Sequence, residues 1–178
     1  MTGPTHVVIA AAATLILGQQ TGHTPQGVLA WGVVLGAALI PDIDEPRSTA
    51  SNPAGLLGKL MPRWVQTFLN TPFQAISSSL RSVFGHRGAT HYLIWPLVGG
   101  ALGWYYSLPL LWWLAWGYLL HLLADWVTLV GIPAFGPFRR RNFSILPKPL
   151  RIKTGGPVET LINTICWLYL LYAVYVYF

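Results

Sequence analysis

The chain has 178 residues, of which 53% are apolar and only 9% charged, with a formal net charge of +6 at pH 7. Soluble domains carry about 25% charged residues, so a bilayer is expected as the main solvent, the alternative being a soluble, all-apolar helical bundle. The length suits one domain over residues 1–178. The basic excess lies in stretches between apolar runs rather than along one polar helix, so direct nucleic-acid binding is not expected. The single cysteine, Cys166, excludes an intrachain disulfide and any multi-thiolate metal site.

The first apolar stretch runs from His6 to Gly18. No Lys or Arg precedes Val7 to Leu17, so the basic start of a cleavable signal peptide is missing and the segment is expected to be retained. The second stretch, Gly27 to Ile40, runs into LIPDIDEP. There the prolines interrupt a helix, and an extended backbone would turn Asp42 and Asp44 toward the same side. Such paired carboxylates repel unless a cation or proton intervenes. The plainer alternative is a helix-ending turn capped by Asp42, with Glu45 a solvated neighbour.

In the loop that follows, Leu56, Leu57, Leu60, Met61, Trp64 and Phe68 recur near helical spacing, and Phe73, Ile76, Leu80, Val83 and Phe84 continue the pattern after Pro72. One or two helices are predicted to lie along the membrane interface, the first kinked at Pro62, either packed on the bundle or serving as a lid for lipid entry. In GHRGATH, His86 and His91 can converge through a turn in which Gly88 gives backbone freedom and Thr90 can cap the next helix. Arg87 between them is either orientation charge or, beside a metal, a holder of a phosphate or carbonyl oxygen.

Two further apolar stretches, Tyr92 to Tyr106 and Leu110 to Asp125, follow. In the second, His121 and Asp125 stand four residues apart, separated on a helix by about 40° in azimuth and one turn in height, so both can reach one ion. The basic segment from Arg139 to Lys153 reads as orientation charge, or as a surface for an acidic partner or anionic lipid. Glu159 opens the fifth stretch, which ends at Phe178, and also suits a helix N-terminus electrostatically.

Every Lys and Arg falls in two loops: Arg47, Lys59, Arg63, Arg81 and Arg87 in one, and Arg139, Arg140, Arg141, Lys148, Arg151 and Lys153 in the other. Five spans place both loops on the side of the N-terminus, and the positive-inside rule makes that side cytoplasmic. The predicted fold is all-α, a polytopic membrane helical bundle of about five short transmembrane helices plus interfacial helices. On that topology His6, Asp42, Asp44, His86, His91, His121, Asp125 and Glu159 all reach one face; His23 does not. Ionisable groups at the bilayer are functional candidates by default. Imidazole and carboxylate without thiolate suit zinc, with manganese or iron also compatible.

With LIPDIDEP, FGHRGATHYL and HLLADWVTLVGIP together, the chain resembles the YdjM-like family of bacterial inner-membrane, metal-dependent hydrolases, whose founding member is described as LexA-regulated or LexA-binding. The resemblance runs from His6 to Glu159. The family's usual HRGxTHS ends here in Tyr92 instead of serine. More remotely, a near-N-terminal His, an Asp, a His and then HxxxD is an order similar to that of the zinc-dependent phospholipase C and P1 nuclease group. That likeness implies His6, Asp42, His91, His121 and Asp125 as first metal ligands, with Asp44, His86 and Glu159 next; the later histidines and acids of the soluble enzymes have no clear counterpart.

The expected function is hydrolysis of a phosphoester in a phospholipid or lipid-linked substrate, at the cytoplasmic face of the inner membrane, with two or three divalent ions. Asp42 or Asp44 would accept the proton from water, and Arg87 would hold the phosphoryl group. The rival classes are an ion- or proton-coupled transporter and a metal-stabilised regulatory membrane protein that contacts a repressor. The middles of the apolar stretches carry no charge, against a conducting path, and no GxSxG element supports a serine hydrolase.

Overall fold

A computed structural model of the chain describes residues 1–58, 60–85 and 87–177; the expected ligand His86 lies outside the described residues, as do Lys59 and Phe178. The helices are α1 (Gly3–Thr21), α2 (Gly27–Ala37), α3 (Arg63–Phe84), α4 (Ile94–Tyr105), α5 (Pro109–Trp126) and α6 (Pro157–Tyr177), and no strand occurs among the described residues. Each of the five apolar stretches is therefore a helix, with ends shifted by a few residues. α2 stops at Ala37, short of the expected Ile40, because Pro41 cannot continue the α-helical hydrogen bonding. The chain tightens instead into a 3₁₀ helix, Ile40–Asp44. That replaces the extended backbone expected around Asp42 and Asp44.

α5 is the central helix and packs against α1, α2 and α4, while α6 lies on α1. The core between α1, α2 and α5 is built from Ala10, Ala30, Val34, Ala38, Trp113 and Leu120. Small residues let the backbones approach. A Cβ placed on Gly117 would lie 2.2 Å from the Val34 carbonyl oxygen, so only glycine fits where α5 crosses α2.

The segment predicted to lie along the interface forms one α-helix, α3, with Pro72 inside it. Pro62 stands just before its first turn and kinks nothing, contrary to expectation, because the helix begins at Arg63. α3 packs on the segment after α2: the Ala54 N–H donates to Asn70 Oδ1 at 3.0 Å, and Arg81 pairs with Glu45. Trp64, Phe68, Phe73 and Ile76 remain exposed on it.

Among the described residues one helix, over Pro157–Val176, is long and apolar enough to cross a membrane. α2 and α4 rise only about 16–18 Å, against a hydrocarbon core of about 30 Å. Helix length is thus where the five-span expectation and the structure part. Connectivity brings the start of α1, the end of α2, the start of α4, the end of α5 and the start of α6 to one end of the bundle. Contacts at that end fix this: Met1 meets Asp125, Thr2 meets Glu159, and His91 lies beside Asp42.

Candidate metal centre

At that end Asp42, His91, His121 and Asp125 each offer a ligand atom, and these atoms all lie within 4.8 Å of one another. His91, His121 and Asp125 are fully buried, whereas the Asp42 side chain is 14% exposed. His121 Nε2 is 3.7 Å and His91 Nε2 3.9 Å from Asp42 Oδ1. Asp125 Oδ2 lies 3.8 Å from His91 Nε2. His6 joins from α1: its ring stacks on that of His121 with centroids 3.7 Å apart, and its Nε2 is 3.3 Å from Asp125 Oδ1.

Two of the imidazoles, those of His121 and His91, are aimed by their other nitrogen. His121 Nδ1 donates at 2.7 Å to the carbonyl of Ala38, one of the orphan acceptors at the end of α2. That bond fixes the tautomer and leaves Nε2 as a lone pair facing the cluster, with no hydrogen-bond partner. His91 Nδ1 lies 3.0 Å from Thr90 Oγ1, and Thr90 Oγ1 donates to Asp44 Oδ2 at 2.9 Å. A chain from imidazole to hydroxyl to carboxylate therefore orients His91, as ligating histidines are commonly held.

The expected ligand Asp44 sits on the opposite side of His91 from the cluster: its Oδ2 is 3.8 Å from Nδ1 and also accepts the Arg87 N–H at 2.9 Å. It acts on His91 rather than beside Asp42, because the 3₁₀ turn separates carboxylates that an extended strand would have aligned. Thr90 does not cap α4, whose first turn follows Leu93; its hydroxyl serves Asp44. Glu159 accepts from Thr2 N, Thr2 Oγ1 and Gly155 N at 2.6, 2.8 and 2.9 Å, tying the chain start to α6. Arg87 is buried, with Nη2 2.6 Å from Asp125 Oδ2 and Nη1 on Thr128 Oγ1 and the Gly131 carbonyl at 3.2 and 3.1 Å. The amino group of Met1 also contacts Asp125. Thr128 and Gly131, in the loop after α5, carry no sequence signal for this role.

Burial sets the protonation of the groups at this centre. Burial, and then neighbouring His121, hold His91 well below the usual imidazole range, so it presents the neutral form that ligates metal. Burial pushes the Asp42 carboxyl up from its ordinary value, a penalty that a metal ion beside it would offset. The donor set fits a divalent ion: two carboxylates and two or three imidazoles, with the buried Nε2 of His121 and Nδ1 of His6 lacking partners.

Fold and site together define an all-α helical protein with a buried His/Asp cluster able to bind a metal ion at one end. The chain belongs to the YdjM inner membrane protein family, whose model matches residues 1–178. It is 32% identical to the inner membrane protein YdjM of Escherichia coli (strain K12), over 62% of this chain and 52% of that protein. The YdjM protein of Shigella flexneri matches with the same identity and coverage. The matched region thus spans about half the length of these curated relatives. No solved structure matches the chain.

Proposed function

We propose that this protein is a multi-pass inner-membrane, metal-dependent hydrolase that cleaves a phosphoester of a lipid or lipid-linked substrate at the cytoplasmic face. The observation that carries this reading is the convergence of Asp42, His91, His121 and Asp125, with the unpartnered Nε2 of His121 turned inward. Zinc is the favoured occupant, and four ligand atoms within 4.8 Å of one another suit one such ion rather than the two or three expected. Bound there, it supplies Lewis acidity, which acidifies water and offsets charge on a phosphoryl oxygen.

The chain's own residues do the rest. The Ala38 carbonyl and the Thr90–Asp44 pair hold two imidazoles in fixed tautomers. Asp42, the most open member of the cluster, is placed to accept a proton from the attacking water. Arg87 balances the Asp125 carboxylate at the buried side.

Membrane placement is supported by apolar side chains facing outward: Trp95, Leu97 and Trp104 on α4, and Leu161, Leu168 and Leu171 on α6. In this arrangement α1, α5 and α6 span, while the shorter α2 and α4 are accommodated by local thinning. α3 lies in the interface beside the site, its exposed Trp64 and Phe68 dipping into lipid. Detergent-purified protein should hydrolyse phosphatidic acid or a related phosphoester, stop on chelation and recover with zinc. Asp42→Asn should lower turnover about 100-fold or more. Turnover that ignores the chelator, or no hydrolysis across a panel of lipid phosphoesters, would refute the proposal.

A further inference from the structure

Next to the cluster lies a cavity of about 390 Å³ whose lining includes Arg87, Gly88, Tyr92, Pro133, Arg140 and Asn142. It contributes two guanidinium groups and no carboxylate. Arg140 is exposed and has no carboxylate partner among the described residues. Arg87 lines the cavity and also reaches the cluster through Asp125. Its Nη2 is on Asp125, its Nη1 on Thr128 and Gly131, and its buried Nε has no acceptor.

Two further features show that this wall is built rather than incidental. Arg87 has a φ of 56°, a left-handed conformation uncommon outside glycine, and its N–H is held by Asp44. Strain of this kind, held by surrounding bonds, is a pointer to function. A Cβ on Gly136 would lie 2.1 Å from the Tyr92 ring, so the loop carrying Arg140 and Asn142 packs directly on Tyr92.

We infer that this cavity is a subsite for a phosphate-bearing group, lined by Arg140, Asn142 and Arg87. The inference deepens the hydrolase reading and rests on it for what the phosphate is esterified to. Arg140, with no carboxylate partner among the described residues, supplies a guanidinium fork that matches phosphate oxygens, and the Arg87 Nε, left without an acceptor while its Nη2 is held by Asp125, adds a further donor. The volume falls in the range of about 300–1,000 Å³ typical of small-molecule sites, more than one phosphate needs, so an attached alcohol enters with it.

The test is calorimetric titration of the full chain in detergent with inorganic phosphate, and in a second arm with phosphatidic acid in mixed micelles. Arg140→Ala should weaken binding about fivefold, the loss of one exposed charge-assisted hydrogen bond, and Asn142→Ala less. Lys153→Ala, which removes the same charge from an exposed position outside the cavity, should change nothing. A response confined to the lipid arm identifies a headgroup, and one confined to free phosphate a soluble ester; either supports the subsite. Equal weakening by Lys153→Ala, no effect of Arg140→Ala in either arm, or no binding by the wild type overturns it. Metal content of the same samples separates the two claims: a metal-loaded protein indifferent to Arg140→Ala sinks the subsite alone, whereas an anion-binding protein that takes up no metal sinks the hydrolase reading.

Discussion

Replacing Thr90 by valine keeps the side-chain shape and removes the hydroxyl that joins His91 to Asp44. That hydroxyl is 3.0 Å from His91 Nδ1 and 2.9 Å from Asp44 Oδ2, so the change costs contacts on both sides. Loss of an orienting partner behind a ligating histidine lowers metal affinity about 10- to 100-fold, which is about 1.4–2.7 kcal/mol. The folded state should also lose about 1–3 kcal/mol, because a buried carboxylate gives up a donor. The backbone N–H of Arg87 still reaches Asp44 and limits that loss. Affinity is measured by competition with a chromophoric chelator, and folding by circular dichroism on the same samples. Thr90→Ser, which restores the hydroxyl, should recover most of the affinity. Thr90→Val with wild-type affinity would refute the assigned role, and so would a Thr90→Ser variant as weak as valine.

Two further changes probe the scaffold. Gly117→Val should destabilise the bundle by about 1–3 kcal/mol or more, since its Cβ would press on the Val34 carbonyl at 2.2 Å; an unchanged thermal unfolding curve would contradict the close α2–α5 crossing. Glu159→Ala removes the acceptor of three hydrogen bonds from Thr2 and Gly155. It should lower stability by about 1–3 kcal/mol while metal stoichiometry is kept. Loss of a metal equivalent from the folded variant would make Glu159 a ligand after all. Chelation of the wild type should lower its unfolding free energy by about 2.7 kcal/mol relative to metal at 100 times its dissociation constant, seen as a lower melting temperature; identical melting curves with and without metal would count against a bound ion.

The five bundle helices are legible because the middle of each apolar run carries no charged residue, and helix patterning is a local property. The HxxxD spacing of His121 and Asp125 was legible for the same reason: one turn of α5 carries both. The division of labour between Asp42 and Asp44 was not. It depends on the 3₁₀ turn after Pro41, and proline forbids the helix without specifying what replaces it. Thr90 looked like a helix cap because it precedes an apolar run, yet tertiary contact with Asp44 claims its hydroxyl. The Arg87–Asp125 pair joins residues far apart in the chain, and only the folded loop after α5 brings Thr128 and Gly131 to the same guanidinium. α2 and α4 are shorter than their apolar runs, because hydropathy continues past the hydrogen-bonded turns.

The most direct test of the metal centre is elemental analysis of detergent-purified protein, equilibrated with zinc and freed of excess, beside Asp42→Ala and His121→Ala variants checked for retained helicity. The expected result is tightly held divalent metal in the wild type and a marked loss in both variants. A wild type that retains no metal, or folded variants that keep the full complement, would contradict a shared ion site at this end of the bundle.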